Sequence, residues 1–418
     1  MDVTRLAAPS PVSPAATVSA ACRGCTKRRI LFRRAGGAEA RGPLRAMSQA
    51  NDIRRAAQVL RSGGLLAFPT ETVYGLGADA ENVHAVQRIF EVKGRPPTHP
   101  LIVHIGASDE LARWAAEVPE AAKVLAERFW PGPLTLVLPR SDRVPLAVTG
   151  GLDTVALRVP DHPLALALLR SFGGAVAAPS ANRFGSVSPT TARHVREDLG
   201  PAVDFVLDGG PCVVGVESTI VDLSTDQPVI LRPGGIPREE IERALGCALP
   251  VHTGTTVRAP GQHPSHYAPR AEVVLVSIRD LDERARRLHD EGHRVGVLMP
   301  APPGSVAGAG GICPAARSPR ARPGRSPRPR TLPSGERWVA ELPDGVVVLG
   351  KVRSVPEYAR RLYENLRAFD RHGCDVVLAS LPPEDGLGLA IADRLRRAAG
   401  ERDHETRSQI ADSGCCEP

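Results

Sequence analysis

Short apolar runs alternate with amphipathic stretches from about residue 50 to about residue 245. The apolar runs predict strands, because a buried strand needs only a few consecutive apolar or β-branched residues. They are residues 65–68, 101–105, 134–138, 155–159, 176–178, 205–207, 220–223 and 229–231. Stretches with a helical apolar period cover residues 85–91, 121–128, 164–171, 191–199 and 238–245. Strands interleaved with helices indicate an α/β or α+β domain.

A second alternating region follows residues 250–270, which contain turn residues without an apolar period and predict a linker. Its strand-like runs are residues 273–275, 295–298, 346–349 and 376–379, and its helical stretches are residues 280–290, 357–369 and 389–399. This pattern predicts a smaller, Rossmann-like α/β domain. The predicted division is a first domain at 47–249, the linker, a second domain at 271–400 with a disordered Pro/Gly/Arg-rich insert at 301–336, and a tail at 401–418.

Residues 1–46 are rich in Ala, Arg, Pro and Ser and have no apolar period. One interpretation is an organelle transit peptide, since such peptides are rich in Arg and Ser and poor in acids. The other is a start site placed too far upstream, with Met47 as the initiator of a cytoplasmic protein. We favour the second interpretation, because Met47 leads directly into the amphipathic stretch 53–60.

The formal net charge of +7 at first suggests a nucleic-acid partner. Residues 1–46 account for that whole excess, so the remaining chain is near neutral and argues against such a surface. No apolar run reaches the length of a membrane span, so no membrane partner is expected. Cys22 and Cys25 form a C-x-x-C pair without a second ligand pair, which predicts no metal site.

Two short polar motifs stand where regular elements break. Lys93 and Arg95 follow a helical stretch, and Ser180 and Asn182 follow the small apolar run 175–178. Fixed cations bind phosphate well, and hydroxyl and amide groups add neutral hydrogen bonds. Together the motifs predict a site for a polyanion. The sequence contains no G-x-x-x-x-G-K-[ST] motif, so this is not a P-loop.

Five motifs make the first domain recognisable. They are residues 68–77 (FPTETVYGLG), 130–135 (WPGPLT), 179–182 (PSAN), 215–220 (GVESTI) and 231–234 (LRPG). In this order and spacing they resemble the YrdC-like family, the threonylcarbamoyl-adenylate synthases. Residues 266–269 (HYAP), together with Tyr363, Arg367 and Asp370, resemble the longer, two-domain form of that family.

The resemblance implies an α/β fold: a twisted mixed sheet around a deep concave cavity, followed by a smaller Rossmann-like domain. It implies an enzyme, a nucleotidyltransferase that makes L-threonylcarbamoyladenylate and pyrophosphate from L-threonine, bicarbonate and ATP. The product would pass to a separate tRNA threonylcarbamoyl transferase, which makes tRNA an indirect partner. A Mg²⁺ ion on the phosphates is expected on chemical grounds, although no carboxylate cage is visible.

The resemblance also assigns site residues. The catalytic set is Lys93, Arg95, Ser180 and Asn182. The ATP-binding set is Lys93, Arg95, His99, Thr154, Ser180, Ser188, Arg232 and Tyr267. The threonine-binding set is Thr72, His104, Arg158, Ala178 and Ser218. No proton transfer is assigned to the motif carboxylates Glu71 and Glu217.

Structural interpretations stay open for three of these residues. A histidine such as His104, at an apolar strand end, is by itself more often structural. Arg158 has a near neighbour, Asp161, with which it can pair. Tyr267 either anchors the packing of the two domains, or contacts nucleotide from a linker that closes the cavity.

Two other functions compete with the synthase. The runner-up is an RNA-binding module of the same fold, which would grip double-stranded RNA or tRNA by shape without synthase activity. The low aromatic content of 4% and the near-neutral folded region argue against it. The third is a carbamoyl transferase of hydrogenase maturation, but this chain lacks the acylphosphatase-like and zinc-finger segments of those proteins.

Overall fold

The computed structural model describes residues 43–252, 260, 266–299, 342–343, 345–350 and 352–400. The predicted disordered insert at 301–336, the tail at 401–418 and nearly all of the N-terminal extension lie outside these residues. The first helix, α1 (Pro43–Arg61), begins ahead of Met47 and continues through the predicted amphipathic stretch. Within the described part of the chain, every helix is too short or too polar to span a bilayer.

Among the described residues, nine strands form the sheet of the first domain. They are β1 (Leu66–Phe68), β2 (Gly75–Asp79), β3 (Ile102–His104), β4 (Leu134–Pro139), β5 (Thr154–Arg158), β6 (Val176–Ala177), β7 (Phe205–Val206), β8 (Thr219–Asp222) and β9 (Val229–Arg232). Their order is β7-β1-β2-β6-β3-β5-β4-β8-β9. Pairing is mixed: β3 runs parallel to β5 and β4 parallel to β8, whereas β4 and β5 are antiparallel.

The strand β2 was not among the predicted strands, because two glycines break its apolar pattern. The strand needs them for close packing. A Cβ atom on Gly77 would stand 2.6 Å from Val176 Cγ1 and 2.9 Å from Phe68 Cε1. Real Cβ atoms do not approach so closely, so larger side chains would push β2 away from its neighbours. The glycines therefore let the motif at 68–77 continue as a central strand.

Helices cover the sheet at the positions that the apolar period predicts. They are α2 (Val83–Lys93), α4 (Glu120–Phe129), α6 (Pro163–Phe172), α7 (Ala192–Leu199) and α8 (Arg238–Leu245), with the shorter α3 (Leu111–Trp114) and α5 (Leu146–Thr149). For the site, α2 matters most. Asn82 caps its start by accepting from the Ala85 N–H, and Gly94 ends it with φ of 63°. This stop places Lys93 in the last turn of the helix and Arg95 directly after its end.

The second domain is a parallel sheet with helices. Its strands are β10 (Glu272–Leu275), β11 (Val295–Leu298), β12 (Val347–Leu349) and β13 (Val376–Ala379), in the order β10-β13-β11-β12. Its helices are α9 (Leu281–Asp290), α10 (Val355–Arg371) and α11 (Leu387–Ala399). All described pairs in this sheet are parallel. The mixed sheet followed by a smaller parallel α/β unit confirms the predicted fold class.

The second domain packs directly on motifs of the first. Val73 and Val216 share a buried apolar cluster with Tyr363 of α10. Gly215, at φ of 82°, lies against the backbone of the same helix, where an added Cβ atom would stand 2.4 Å from Arg360 Cα. Glycine is therefore required at this position for two reasons: the positive φ angle and the close approach of the helix backbone. The two domains share one core at this contact.

Candidate active site

A cavity opens on the face of the first sheet, and residues of the linker form part of its wall. Pro260, His266 and Tyr267 are the linker residues that line it. Nine of the fourteen predicted site residues also line this cavity, and they are Thr72, Arg95, His104, Arg158, Ala178, Ser180, Ser218, Arg232 and Tyr267. Residues from distant parts of the chain thus meet in one cavity, and their roles toward substrates stay a prediction.

One end of the cavity is built on two parallel strands. Arg158 ends β5 and His104 ends β3, and the two residues are directly paired in the sheet register. The Arg158 guanidinium donates to Glu71 Oε1 at 2.6 Å and to Thr72 Oγ1 at 2.9 Å. The predicted alternative partner, Asp161, instead donates its backbone N–H to Glu71 Oε2 at 2.9 Å. Glu71 therefore fixes the arginine against the cavity wall.

The His104 ring is buried beside that arginine, and it packs edge-on against Phe68 with ring centroids 5.6 Å apart. Burial, and secondarily the positive charge of Arg158, lower the pKa of His104 to about 3. The imidazole is therefore neutral at physiological pH. A neutral ring beside a fixed guanidinium provides a polar contact without adding a second charge.

The cavity wall carries two more guanidinium groups. Arg95 donates to Pro100 O at 3.0 Å, and Arg232 donates to Ser218 O at 2.9 Å and to Pro260 O at 2.8 Å. Burial, and secondarily the charge of Arg232, lower the pKa of Arg95 to about 10. In the described chain neither group lies at salt-bridge distance from a carboxylate, because Glu71 and Glu217 are paired with other arginines. Two buried cations without a salt-bridge partner favour an anionic ligand, although the charge of Glu217 also acts on Arg232.

Ser218 and Ala178 line the cavity through the sheet itself. The Ser218 hydroxyl shares a 2.7 Å hydrogen bond with Thr135 Oγ1 and accepts from Arg232 at 3.1 Å. Ala178 donates its backbone N–H to Ile102 O at 2.8 Å. Both residues are therefore held rigidly, as residues that contact a substrate need to be.

Lys93 lies behind the cavity wall rather than on it. Its ammonium group donates to Ser180 O at 2.6 Å and also to Asn182 O. Burial, together with the charge of Arg95, holds its pKa well below the usual lysine value. The structure thus gives Lys93 a different position from the one expected of a phosphate ligand: it ties α2 to the loop that presents Ser180.

Four other predicted residues do not line the cavity. Asn182 donates from its side chain to Arg183 O at 2.9 Å and Ser186 O at 2.8 Å, which closes the same loop. Ser188 donates to Glu217 Oε1 at 2.7 Å. The His99 ring packs near that of Phe184, and Thr154 begins β5 at the opposite end from Arg158.

Comparison with known proteins agrees with this geometry. Residues 58–234 match a family model described as telomere recombination, and residues 236–400 match the model of the threonylcarbamoyl-AMP synthase C-terminal domain. The threonylcarbamoyl-AMP synthase of Pyrococcus abyssi is 45% identical over 84% of this chain and 94% of its own length. The Bacillus subtilis synthase is 42% identical over 84% and 93%, respectively. The chain belongs to the threonylcarbamoyl-AMP synthase family.

Solved structures of the family support the same assignment. The crystal structure of P. abyssi Sua5 complexed with L-threonine superposes with a TM-score of 0.70 at 45% identity, over 84% of this chain and 94% of that one. The predicted family membership is therefore confirmed. The match to the C-terminal family model begins ahead of the linker, at a residue just before α8.

Residues of the second domain contact Glu217 in the cavity wall, and the sequence analysis did not assign them to the site. Glu217 accepts from the Tyr363 hydroxyl at 2.7 Å and from Arg394 Nε at 2.9 Å, both through Oε2. Burial raises the pKa of Glu217, but Arg394 and then Arg232 outweigh it and hold the value at about 2. One signal was present: Arg394 lies on the apolar face of α11, between Ile391 and Leu395.

The sequence left two interpretations open for Tyr267, a packing anchor between the domains or a cavity residue near the nucleotide, and its position is compatible with both. It lines the cavity, and it is also almost fully buried in the domain contact. Its ring stacks on that of Tyr363 with centroids 5.7 Å apart, and the Arg394 guanidinium lies 5.2 Å from its centroid. Its φ of 64° is unusual for a residue other than glycine, and packing of this kind is needed to hold it.

Proposed function

We infer that this protein is an L-threonylcarbamoyladenylate synthase, which makes threonylcarbamoyl-AMP and pyrophosphate from L-threonine, bicarbonate and ATP. The observation that carries the inference is the division of charge in one cavity. Arg158 is paired with Glu71, whereas Arg95 and Arg232 line the same cavity and lie at salt-bridge distance from no carboxylate in the described chain. We assign an amino-acid carboxylate to Arg158 and a triphosphate to Arg95 and Arg232.

The threonine site is proposed at the Arg158 end. The Nε atom of Arg158 is buried without a hydrogen-bond partner, which leaves it for the substrate carboxylate. Ser218 and Thr72 supply hydroxyl groups, and the neutral His104 ring supplies a further polar contact. Ala178 completes this wall with a small side chain that leaves room for the substrate.

The nucleotide site is proposed at the other end, with Arg95 and Arg232 against the phosphates and Ser180 and Tyr267 beside them. The threonine nitrogen attacks the carbon of carbon dioxide derived from bicarbonate and loses a proton, which gives a carbamate. A carbamate oxygen then attacks the α-phosphorus, the bond to the β-phosphate oxygen breaks, and pyrophosphate leaves. Arg95 and Arg232 stabilise the charge that develops on the phosphates.

The protein itself offers little to a magnesium ion. The described residues contain no group of three or more His, Cys, Asp or Glu placed to hold a metal. The cavity carboxylates, Glu71 and Glu217, are both engaged by arginines. Mg²⁺ would therefore be held by the triphosphate rather than by a protein cage.

We further propose that the linker keeps water from the reaction. Pro260 accepts a hydrogen bond from Arg232, and His266 and Tyr267 complete the wall over the nucleotide end. Both the carbamate and the mixed anhydride product are labile, so exclusion of water favours synthesis over hydrolysis. The product would pass to a separate tRNA threonylcarbamoyl transferase. The buried position of the cavity arginines does not suit shape recognition of an RNA duplex.

Omission of single substrates tests the function. Purified protein with ATP and Mg²⁺ should release pyrophosphate rapidly only when both L-threonine and bicarbonate are present. L-Serine should be a poorer substrate than L-threonine. The difference in transition-state stabilisation should be only about 1–3 kcal/mol, because one methyl group discriminates weakly. Pyrophosphate release that is the same without threonine or without bicarbonate would overturn the assignment.

A further inference from the structure

The side chain of Arg394 crosses from the second domain into the catalytic one. It stands on α11 and is completely buried. Its Nε donates to Glu217 Oε2 at 2.9 Å, and one Nη donates to Pro233 O at 2.8 Å. These acceptors belong to two of the sequence motifs that form the cavity, GVESTI and LRPG. A single guanidinium therefore joins both motifs to the second domain.

Tyr363 of α10 reinforces this contact from the same domain. Its hydroxyl donates to the same Glu217 oxygen at 2.7 Å, and its ring stacks on Tyr267. Tyr267 consequently contacts both the Tyr363 ring and the Arg394 guanidinium, and it also lines the cavity. The second domain thus supplies the support behind a cavity residue with a strained backbone.

A buried ion pair is a poor means of stabilising a domain contact. Well-packed apolar residues of similar volume usually stabilise a protein as much or more, because charges are costly to remove from water. The hydrogen bonds of a fixed guanidinium are directional, however, so they hold their acceptor groups in defined positions. Apolar packing alone does not do this. The contacts of Arg394 with Glu217 and Pro233 therefore indicate a positioning role.

The two ends of the cavity depend on this support to different degrees. Ser218, of the proposed threonine set, is bonded to Thr135 and Arg232 of the first domain, although it directly follows Glu217 in the chain. Tyr267, beside the nucleotide end, is backed by Arg394 and Tyr363. Loss of the support should therefore disturb the nucleotide end first.

We propose that Arg394 and Tyr363 are positioning residues through which the second domain sets the affinity for ATP and the coupling of ATP cleavage to synthesis. They act through Tyr267 and Glu217, and we expect a smaller effect on threonine, because Ser218 is also held by Thr135 of the first domain. This proposal rests on the proposed synthase function, since coupling has meaning only if the adenylate is made.

The test compares full-length variants Arg394→Met, Arg394→Lys and Tyr363→Phe with a matched control, Arg367→Met. Arg367 is also a nearly buried arginine of the second domain that pairs across the contact, with Asp198 at 2.8 Å, but it bonds neither Glu217 nor Pro233. For each protein one measures the thermal midpoint, the KM values for ATP and threonine, and the ratio of ATP hydrolysed to adenylate formed.

We expect Arg394→Met to raise the KM for ATP and the hydrolysis ratio by about tenfold, the effect of one charged hydrogen bond. The KM for threonine should stay within about twofold. Tyr363→Phe should shift the same quantities less, and Arg394→Lys should recover part of the loss. Arg367→Met should lower the thermal midpoint and leave both KM values and the hydrolysis ratio unchanged.

Equal kinetic changes in Arg394→Met and Arg367→Met would overturn the proposal, because the role would then be structural. If Arg394→Met does not fold, Tyr363→Phe carries the test, since it removes one hydroxyl and keeps the ring. An unchanged KM for ATP and an unchanged hydrolysis ratio in Tyr363→Phe would also contradict the proposal. Wild-type protein run beside the variants separates this failure from failure of the synthase function, in which no adenylate forms at all.

Discussion

Replacement of Arg158 by Met should separate threonine binding from stability. The guanidinium makes two buried hydrogen bonds, to Glu71 at 2.6 Å and to Thr72 at 2.9 Å. Removing one partner of a buried ion pair costs about 3–5 kcal/mol, because the other charge is left without compensation. The variant should therefore lose much of its stability, through the stranded Glu71 carboxylate.

The effect on threonine is expected to be separate. A hydrogen bond to a charged group contributes about 1.5–3 kcal/mol, so losing one from the substrate carboxylate should raise the KM for threonine on the order of ten- to a hundredfold. The KM for ATP should change by no more than about twofold, because the nucleotide end is built on other arginines.

The double variant Arg158→Met/Glu71→Gln is the decisive control. It removes both charges of the pair. Thermal or urea unfolding should therefore show that the double variant regains most of the stability lost in the single variant. Threonine binding, measured by calorimetry or by initial rates of pyrophosphate release, should stay weak. If threonine affinity returns together with stability, or if both KM values rise equally in the single variant, Arg158 is structural and the proposed substrate clamp is wrong.

The other variants test the remaining parts of the site. Lys93→Met should reduce synthesis by about two orders of magnitude, the scale of a misplaced site group, and should leave the KM for threonine nearly unchanged, as steady-state rates would reveal. Arg95→Ala should reduce the rate by two to three orders of magnitude, roughly the cost of one preorganised donor, while circular dichroism should still report a folded protein. The pKa of His104 is about 3 in the folded protein and 6.5 in the reference state. Below pH 6.5 the unfolded state therefore binds the proton first, and wild type should lose stability at up to about 1.4 kcal/mol per pH unit. When urea unfolding is measured at several pH values, the stability of His104→Gln should fall less per pH unit than that of wild type. An equal pH dependence would contradict the neutral buried ring.

Periodicity alone predicted most of the elements. The apolar runs located β4, β5 and β8, because a strand buried on both faces reads as a continuous apolar segment. Helix α8 was predicted at both ends, since Pro237 and Gly246 mark its limits. The strand β2 was not predicted, because its glycines break the apolar pattern. They are needed for close packing against Phe68 and Val176, a tertiary requirement that a local pattern does not show.

The motifs predicted many of the residues that meet in the cavity. They did not predict which residues line the cavity and which support it from behind. Arg158 and His104 fell at strand ends, and adjacent parallel strands bring such residues together. Lys93 was expected at the phosphates, yet its burial directs the ammonium group to backbone carbonyls of the loop around Ser180. Arg394 lies far along the chain from the motifs, and only the domain contact brings it to Glu217.

The most direct test of the account is the composition of the nucleotide product. Protein incubated with ATP, L-threonine and radiolabelled bicarbonate should form one acid-labile adenylate that contains AMP, threonine and the labelled carbon in equal amounts, as chromatography and mass spectrometry would measure. An adenylate that contains threonine without the label would be an aminoacyl adenylate formed directly on the carboxylate. That result, or the absence of any adenylate, would contradict the central claim.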